Sequence, residues 1–153
     1  VDCIVPVQTK NTVVKLQPDR NKHQHGRWER IALEAAQQSE RWTLPAITAP
    51  TDLSKAVAAY PSAHKLMLVE RSTESSLTSV PLPEGSDHTI VLLVGPEGGW
   101  DGNELLLMRE QGYTPLSLGS RILRAETAAI AALCILQSRL GELGGTIARQ
   151  FET

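Results

Sequence analysis

Apolar positions along this chain change their period several times, and the changes mark its elements. Residues 1–7, VDCIVPV, are mostly apolar and predict a strand with an edge or bulge at Pro6, since proline donates no ladder hydrogen bond. Residues 12–16 predict a second short extended segment. Between 22 and 40 the spacing turns helical, with Trp28, Ile31, Ala32 and Ala35 on one face. Residues 44–47 carry Pro45 and fit a strand edge or irregular loop. Residues 51–59 open on a capping residue and predict a short helix.

The second half alternates more regularly. Residues 65–70, KLMLVE, predict a strand, and 72–85 a polar connection with two prolines. Residues 89–94 form a continuous apolar run of the kind buried on both faces. A loop follows over 95–102. A helix follows over 103–111, with Asn103 as its cap and Gly112 as its stop. Residues 114–118 predict another strand, and 126–141 the last long helix. The tail 141–153, with Gly144 and Gly145, reads as loosely held. Strands alternating with helices predict an α/β fold with a mainly parallel sheet covered by helices.

The 153 residues suit one domain, large enough to bury about 68–70% of its unfolded surface. Aliphatic residues are ample and aromatics few. A formal net charge of -2 argues against a globally basic nucleic-acid binder but not against a local patch. Seven of the fifteen basic residues fall in the first 41, among Asp19, Glu29, Glu34 and Glu40. Taken alone, that run reads as a solvated helix face. Cys3 and Cys134 are far apart and form neither a disulfide framework nor a metal cluster. Cys134 reads as a small core residue on a helix, Cys3 as part of the first strand. His23 and His25 read as surface residues, and the four histidines form no metal motif. There is no secretory signal and no membrane-length apolar run, so a cytoplasmic protein is the expectation.

Two loops carry the candidate chemistry. Gly95-Pro96-Glu97-Gly98-Gly99 follows the apolar strand that includes Leu93. Open parallel sheets bind ligands at the carboxyl ends of their strands, and glycine allows close backbone approach. The loop is neither a Walker A motif nor a dinucleotide fingerprint. A simple turn remains the plain alternative. The second loop is more specific: a strand ends at Leu118 and Gly119, and Ile122 and Leu123 are apolar within a turn. They can wall an adenine pocket while backbone groups meet its edge. Thr127 stands at a helix start and can cap it. Arg124 and Glu126 flank the mouth, or else form an ordinary ion pair.

Several of these segments, in this order, resemble the RsmE family of 16S ribosomal RNA methyltransferases, within the SPOUT class. The resemblance runs from about Val1 to Leu143. It includes RWERIALEAAQQSER at 27–41, LLVGPEGGW at 92–100, Glu104 in the next helix, and LGSRILRAETA at 118–128. Trp100-Asp101 departs from many relatives, which have a different apolar residue followed by serine. The resemblance implies a knotted SPOUT-type fold with a C-terminal trefoil knot, a homodimer, and S-adenosylmethionine as methyl donor. It implies transfer to N3 of a uridine in 16S ribosomal RNA of the small subunit, with no metal and no membrane. Relatives carry an N-terminal PUA-like β-barrel, so residues 1–153 are expected to be the methyltransferase domain alone.

Carried over, the loop from Gly95 and the segment from Leu116 to Thr127 become the two main cofactor walls. The cofactor set is then Glu70, Leu93, Gly95, Pro96, Gly98, Gly99, Leu116, Leu118, Gly119, Ile122, Leu123, Arg124 and Thr127. Neutral uridine N3 has no free lone pair, so its proton must be removed. Arg124 is the candidate for stabilising charge on the uracil carbonyls. Glu97 and Glu126 are candidates for accepting the proton or orienting Arg124. Two alternatives stay open: another SPOUT enzyme acting on ribose 2'-oxygen, or a non-catalytic RNA-binding or assembly module that binds the cofactor.

Overall fold

Two prolines decide the strand pattern at the start of the chain. In this computed structural model, which describes residues 1–13, 18–70, 75–85, 88–141 and 143, the expected strand over 1–7 is cut in two. β1 is Cys3–Ile4 and β2 is Val7–Gln8. Each pairs in parallel with a short partner: β1 with β3, Ala46–Ile47, and β2 with β4, Thr51–Asp52. Pro6 on one side and Pro50 on the other lack the N–H that would continue the ladder. A bond from Thr51 N–H to the Pro6 carbonyl, 3.0 Å, spans the break. The expected extended segment at 12–16 lies partly outside the described residues, as does the tail from 144.

The chain divides into two compact units, Val1–Pro61 with Trp100–Gln111, and Ser62–Gly99 with Gly112–Thr153. The first unit holds these strands and three helices. They are α1, Pro18–Gln38, α2, Leu53–Ala58, and α3, Gly102–Glu110. α2 starts two residues later than expected, because Thr51 and Asp52 are drawn into β4 and Asp52 becomes the N-cap. Leu53, Ala56 and Val57 share one face of α2 and are buried. The apolar face of α1 is used differently. Ala36 is buried, but Trp28, Ile31, Ala32 and Ala35 line an open groove of about 530 Å³ with Ile4, Pro6 and Ile47. His25 is not a free surface residue: its Nε2 donates to the Ile47 carbonyl at 2.8 Å, tying α1 to β3.

The second unit is a three-stranded parallel sheet in the order β6-β5-β7. β5 is His64–Leu68, β6 is Ile90–Leu93 and β7 is Thr114–Leu116. The fully buried strand is β5 rather than the apolar run at 89–94, because β5 lies in the middle and β6 at an edge. Leu66 and Leu68 point to the face covered by the last helix, α4, Ala125–Arg139. There they meet Leu116, Leu77 and Val80, and Ala132 and Leu136 of α4. Lys65, also buried, sets its Nζ 5.5 Å from the Tyr113 ring centre. Cys134, expected in the core, is exposed. Two residues from Ala132 and Leu136, it falls on the opposite side of α4.

The knotted topology implied by the family resemblance is overturned. The described residues form three small, open parallel sheets rather than one sheet closed by a C-terminal trefoil knot. Prolines interrupt pairing in the first unit. In the second, β6 and β7 remain edges, and no described strand closes the sheet.

Leu66 has no exposed surface and sits at the centre of the second core. A Leu66→Ala substitution is expected to destabilise the protein by about 2–5 kcal/mol. Denaturant unfolding measures it, and a loss well under 1 kcal/mol would contradict this packing.

Candidate functional site

Parallel pairing places the carboxyl ends of β5, β6 and β7 along one edge of their sheet. The register sets Met67 opposite Leu93, and Leu68 opposite Leu116. Beyond those residues each strand runs into a loop that carries expected site residues. Val69 and the exposed Glu70 follow β5. Residues 94–99 follow β6, and 117–124 follow β7. Val69 N–H donates to the Leu116 carbonyl at 2.9 Å, so two of the three loops start from bonded positions.

The first glycine loop closes as a turn, with Gly99 N–H donating to the Pro96 carbonyl at 2.9 Å. Gly99 has φ 68 and Gly119, in the second loop, φ 122. A Cβ at either position would meet nothing within 4 Å. The need for glycine there is conformational, not steric. Glu97 is exposed at the turn.

The second loop is flanked by a segment that looked merely polar in sequence. Ser117 pairs with Ser76: its N–H donates to the Ser75 carbonyl at 3.1 Å, and its carbonyl accepts from Leu77 N–H at 3.2 Å. No sequence motif signalled that strip. Leu93 and Leu116 have side chains in the cores, so only their backbone can face a ligand. Leu118 packs partly against the core, whereas Ile122 is half exposed.

Arg124, not Thr127, is the N-cap of α4. Its side chain makes no capping bond, and its carbonyl accepts from Ala128 N–H at 2.8 Å. Thr127 and Glu126 lie in the first turn, exposed with Arg124. Arg124 and Glu126 form no ion pair, which removes the simplest structural explanation for the two charges. Thus Glu70 and the 94–99 and 117–124 loops follow the strand ends at one sheet edge, Glu126 and Thr127 stand in the first turn of α4, and Glu97, Arg124 and Glu126 are exposed. The apolar groove of the first unit contains none of them and is lined almost wholly by carbon.

The RNA methyltransferase domain family matches residues 1–137. The chain belongs to that family. Within it, this methyltransferase domain falls in the small-subunit methyltransferase E, or RsmE, branch. It is 41% identical over 137 residues to the ribosomal RNA small subunit methyltransferase E of Synechocystis, covering 88% of this chain and 44% of that protein. The Bacillus subtilis protein of the same name is 35% identical, with 92% and 57% covered. The chain therefore spans about half the length of the curated relatives it matches.

Two solved structures are also similar to the methyltransferase domain. A Legionella pneumophila methyltransferase, in complex with bound S-adenosylmethionine, superposes with a TM-score of 0.84 at 33% identity. The alignment covers 91% of this chain and 56% of that one. A Neisseria gonorrhoeae ribosomal RNA small subunit methyltransferase E, bound to S-adenosylmethionine, gives 0.81 at 34% identity, covering 91% and 55%.

The methyltransferase domain also holds a polar cluster at the start of α3. The N-cap is Asp101 rather than Asn103. Asp101 Oδ1 accepts from Asn103 N–H at 3.1 Å, and Glu104 Oε2 accepts from Asp101 N–H at 2.9 Å. The Asp-x-x-Glu spacing was the available signal. Lys10 Nζ donates to Asp101 Oδ2 at 2.6 Å. That bond raises the Lys10 pKa, and, with the Asn103 N–H, lowers that of Asp101.

The sign follows for each group. Asp101 contributes stability above its unfolded value near 3.8, lost as pH falls through the lower folded value. Lys10 contributes below its unfolded value near 10.5, lost as pH rises through the higher folded value. An Asp101→Asn variant should therefore melt below the wild type at neutral pH, and the difference should close in acid. Melting curves across the acid range test this, and a difference that persists below the folded carboxyl's titration would refute it.

Proposed function

We propose that this chain is the cytoplasmic methyl-transfer domain of an enzyme that acts on 16S ribosomal RNA, using S-adenosylmethionine to methylate uridine N3. The observation that carries the reading is the shared sheet edge, where three parallel strands deliver Glu70, the 95–99 loop and the 117–124 loop together. Support comes from the two similar structures, both solved with S-adenosylmethionine.

The residues fit such a ligand. Gly99 and Gly119 hold positive-φ backbone conformations that a side chain would strain. Half-exposed Ile122 with Leu118 and Leu123 offers an apolar wall for adenine. Backbone groups of 95–99 and 116–119 offer hydrogen bonds, and Glu70 is suited to hydroxyl or ammonium groups. When bound, S-adenosylmethionine supplies the methyl group and its own leaving group, with no metal needed.

The chain's residues must then hold uridine N3 in line with the methyl group and remove its proton. Arg124 faces the negative charge that develops on the uracil carbonyls. Glu97 or Glu126 accepts the N3 proton or orients Arg124. The target base must be unstacked to reach this edge. The net charge of -2 agrees with a reading in which part of the RNA grip lies elsewhere, in the PUA-like domain that the resemblance implies for a complete enzyme.

A homodimer is part of the same proposal. Ile130, 64% exposed, and Cys134 lie on the α4 face turned away from the core. We assign that face to a second copy of the chain, which would cover Ile130.

The deciding experiment is methyl transfer to small ribosomal subunits, with and without a supplied RNA-binding domain, read by mass spectrometry of the nucleosides. N3-methyluridine is expected. A methyl group on ribose, or cofactor binding without transfer under either condition, overturns the reading. Arg124→Ala is expected to reduce turnover by at least about 100-fold, the scale of one lost transition-state donor. Full turnover in that variant removes the role given to Arg124. An Ile130→Asp change is expected to shift the protein to monomer in sedimentation, and an unchanged dimer would discard the α4 interface.

A further inference from the structure

The second glycine loop begins at a peptide bonded on both sides. The Leu116 carbonyl accepts from Val69 N–H, just past β5, at 2.9 Å. The Ser117 N–H donates the other way, to the Ser75 carbonyl at 3.1 Å, and the Ser117 carbonyl accepts from Leu77 N–H at 3.2 Å. On the first side stands β5, buried and paired along both edges. On the second stands only the strip 75–80, which is no strand and depends on other contacts for its shape.

Some of those contacts are internal. Ser79 N–H and Val80 N–H both donate to the Ser76 carbonyl, at 3.1 and 3.0 Å, and the Ser76 and Thr78 hydroxyls lie 2.8 Å apart. Leu77 and Val80 also bury their side chains in the second core. Apolar burial is non-directional, so it holds those side chains without aiming their peptide groups. Arg139 supplies the direction. Its Nη1 donates to the Leu77 carbonyl at 2.8 Å and its Nη2 to the Val80 carbonyl at 2.6 Å. Leu77 is therefore the joint: its N–H holds Ser117, and its carbonyl is held by Arg139.

We infer that Arg139 is a positioning residue for the second glycine loop: acting through Leu77, its guanidinium holds Ser117 where the loop starts. Every residue in this chain of bonds lies in the second unit. The inference rests on the proposed role of that loop as a cofactor wall. It places a determinant of cofactor affinity at the opposite end of α4 from Arg124.

A simpler role competes. Arg139 stands in the last turn of α4, where any cation meets the partial negative charge of the helix end. A lysine would serve that purpose equally. It would not replace the fork, because a planar guanidinium sets its N–H groups in fixed directions and a flexible ammonium does not.

The test compares Arg139→Lys and Arg139→Met with the wild type in the whole chain, by residue-resolved amide hydrogen exchange and by S-adenosylmethionine binding. The decisive amide is that of Ser117, whose partner is the Ser75 carbonyl and not Arg139. The control is His64 N–H, bonded to the Thr89 carbonyl at 2.8 Å at the other end of the same sheet. Arg139→Lys should speed Ser117 exchange and weaken S-adenosylmethionine binding, each about tenfold, the scale of one net bond to a charged group. His64 should stay near the wild type. Arg139→Met should show at least the same effect, and if it does not fold, Arg139→Lys carries the comparison. Wild-type behaviour of Arg139→Lys would reduce Arg139 to a helix-end charge and overturn the inference. So would equal acceleration at Ser117 and His64, which is general destabilisation, or faster Ser117 exchange with unchanged S-adenosylmethionine binding. If the wild type binds no S-adenosylmethionine, the cofactor reading fails, while Ser117 exchange still decides whether Arg139 holds the loop.

Discussion

Burial of β5 between two parallel neighbours is the constraint on which the second unit depends. Lys65 to Leu68 are buried, and hydrogen bonds occupy both edges of the strand. Parallel neighbours cannot be joined by tight turns, so each connection must cross over the sheet. The crossovers return every chain to the same starting edge. They leave every carboxyl end at the other. The clustering of Glu70, the 95–99 loop and the 117–124 loop is thus a consequence of pairing direction, before any side chain is considered. One antiparallel strand would move its loop to the opposite edge.

α4 gives that edge its rigidity. Ala128, Ala132, Ile135 and Leu136 form a stripe against Leu66, Leu68 and Leu116. Further along, Arg139 donates to the carbonyls of Leu77 and Val80 at 2.8 and 2.6 Å. Those carbonyls belong to the segment whose Ser75 and Ser76 pair with Ser117. One helix thereby packs the sheet, holds the strip beside the second loop and begins at Arg124, where that loop ends. A disturbance in the α4 core should reach the site by this route.

Much of this was legible in the chain because apolar periodicity is local. β5, β6, β7, α3 and α4 fall within a few residues of their expected places, and Gly112 and Gly141 end their helices with φ 83 and 79. What local reading missed depends on partners distant in sequence. Lys65 to Leu68 resemble 89–94 in sequence, and only sheet order shows which strand is central. Cys134 is small and apolar, yet the turn of α4 carries it away from the core. The bonds of Lys10 to Asp101 and Glu104 join residues more than ninety apart. The knot came from family resemblance, not from periodicity, and open sheets replace it. Both glycine segments were legible as loops from their glycines and order; their role as cofactor walls belongs to the proposal. That Leu93 and Leu116 offer only backbone was not, since burial is a property of the assembled sheet.

Arg124 remains hard to explain by stability. A helix N-terminus carries partial positive charge, so acidic side chains are favourable there and a guanidinium is not. Glu126 in the first turn meets that preference, while Arg124 at the N-cap opposes it. Serine, threonine or aspartate at the cap would also bond to an unsatisfied N–H, a bond the Arg124 side chain does not make. Nor does an ion pair with Glu126 offset the cost. A fold selected for stability alone would replace this arginine. A site that must face a developing negative charge would keep it, because helix terminus and guanidinium then act with the same sign on the same group. On the proposed reading, that coincidence at the end of the second glycine loop suits a negative group, either the charge developing on uracil or the carboxylate of the methyl donor.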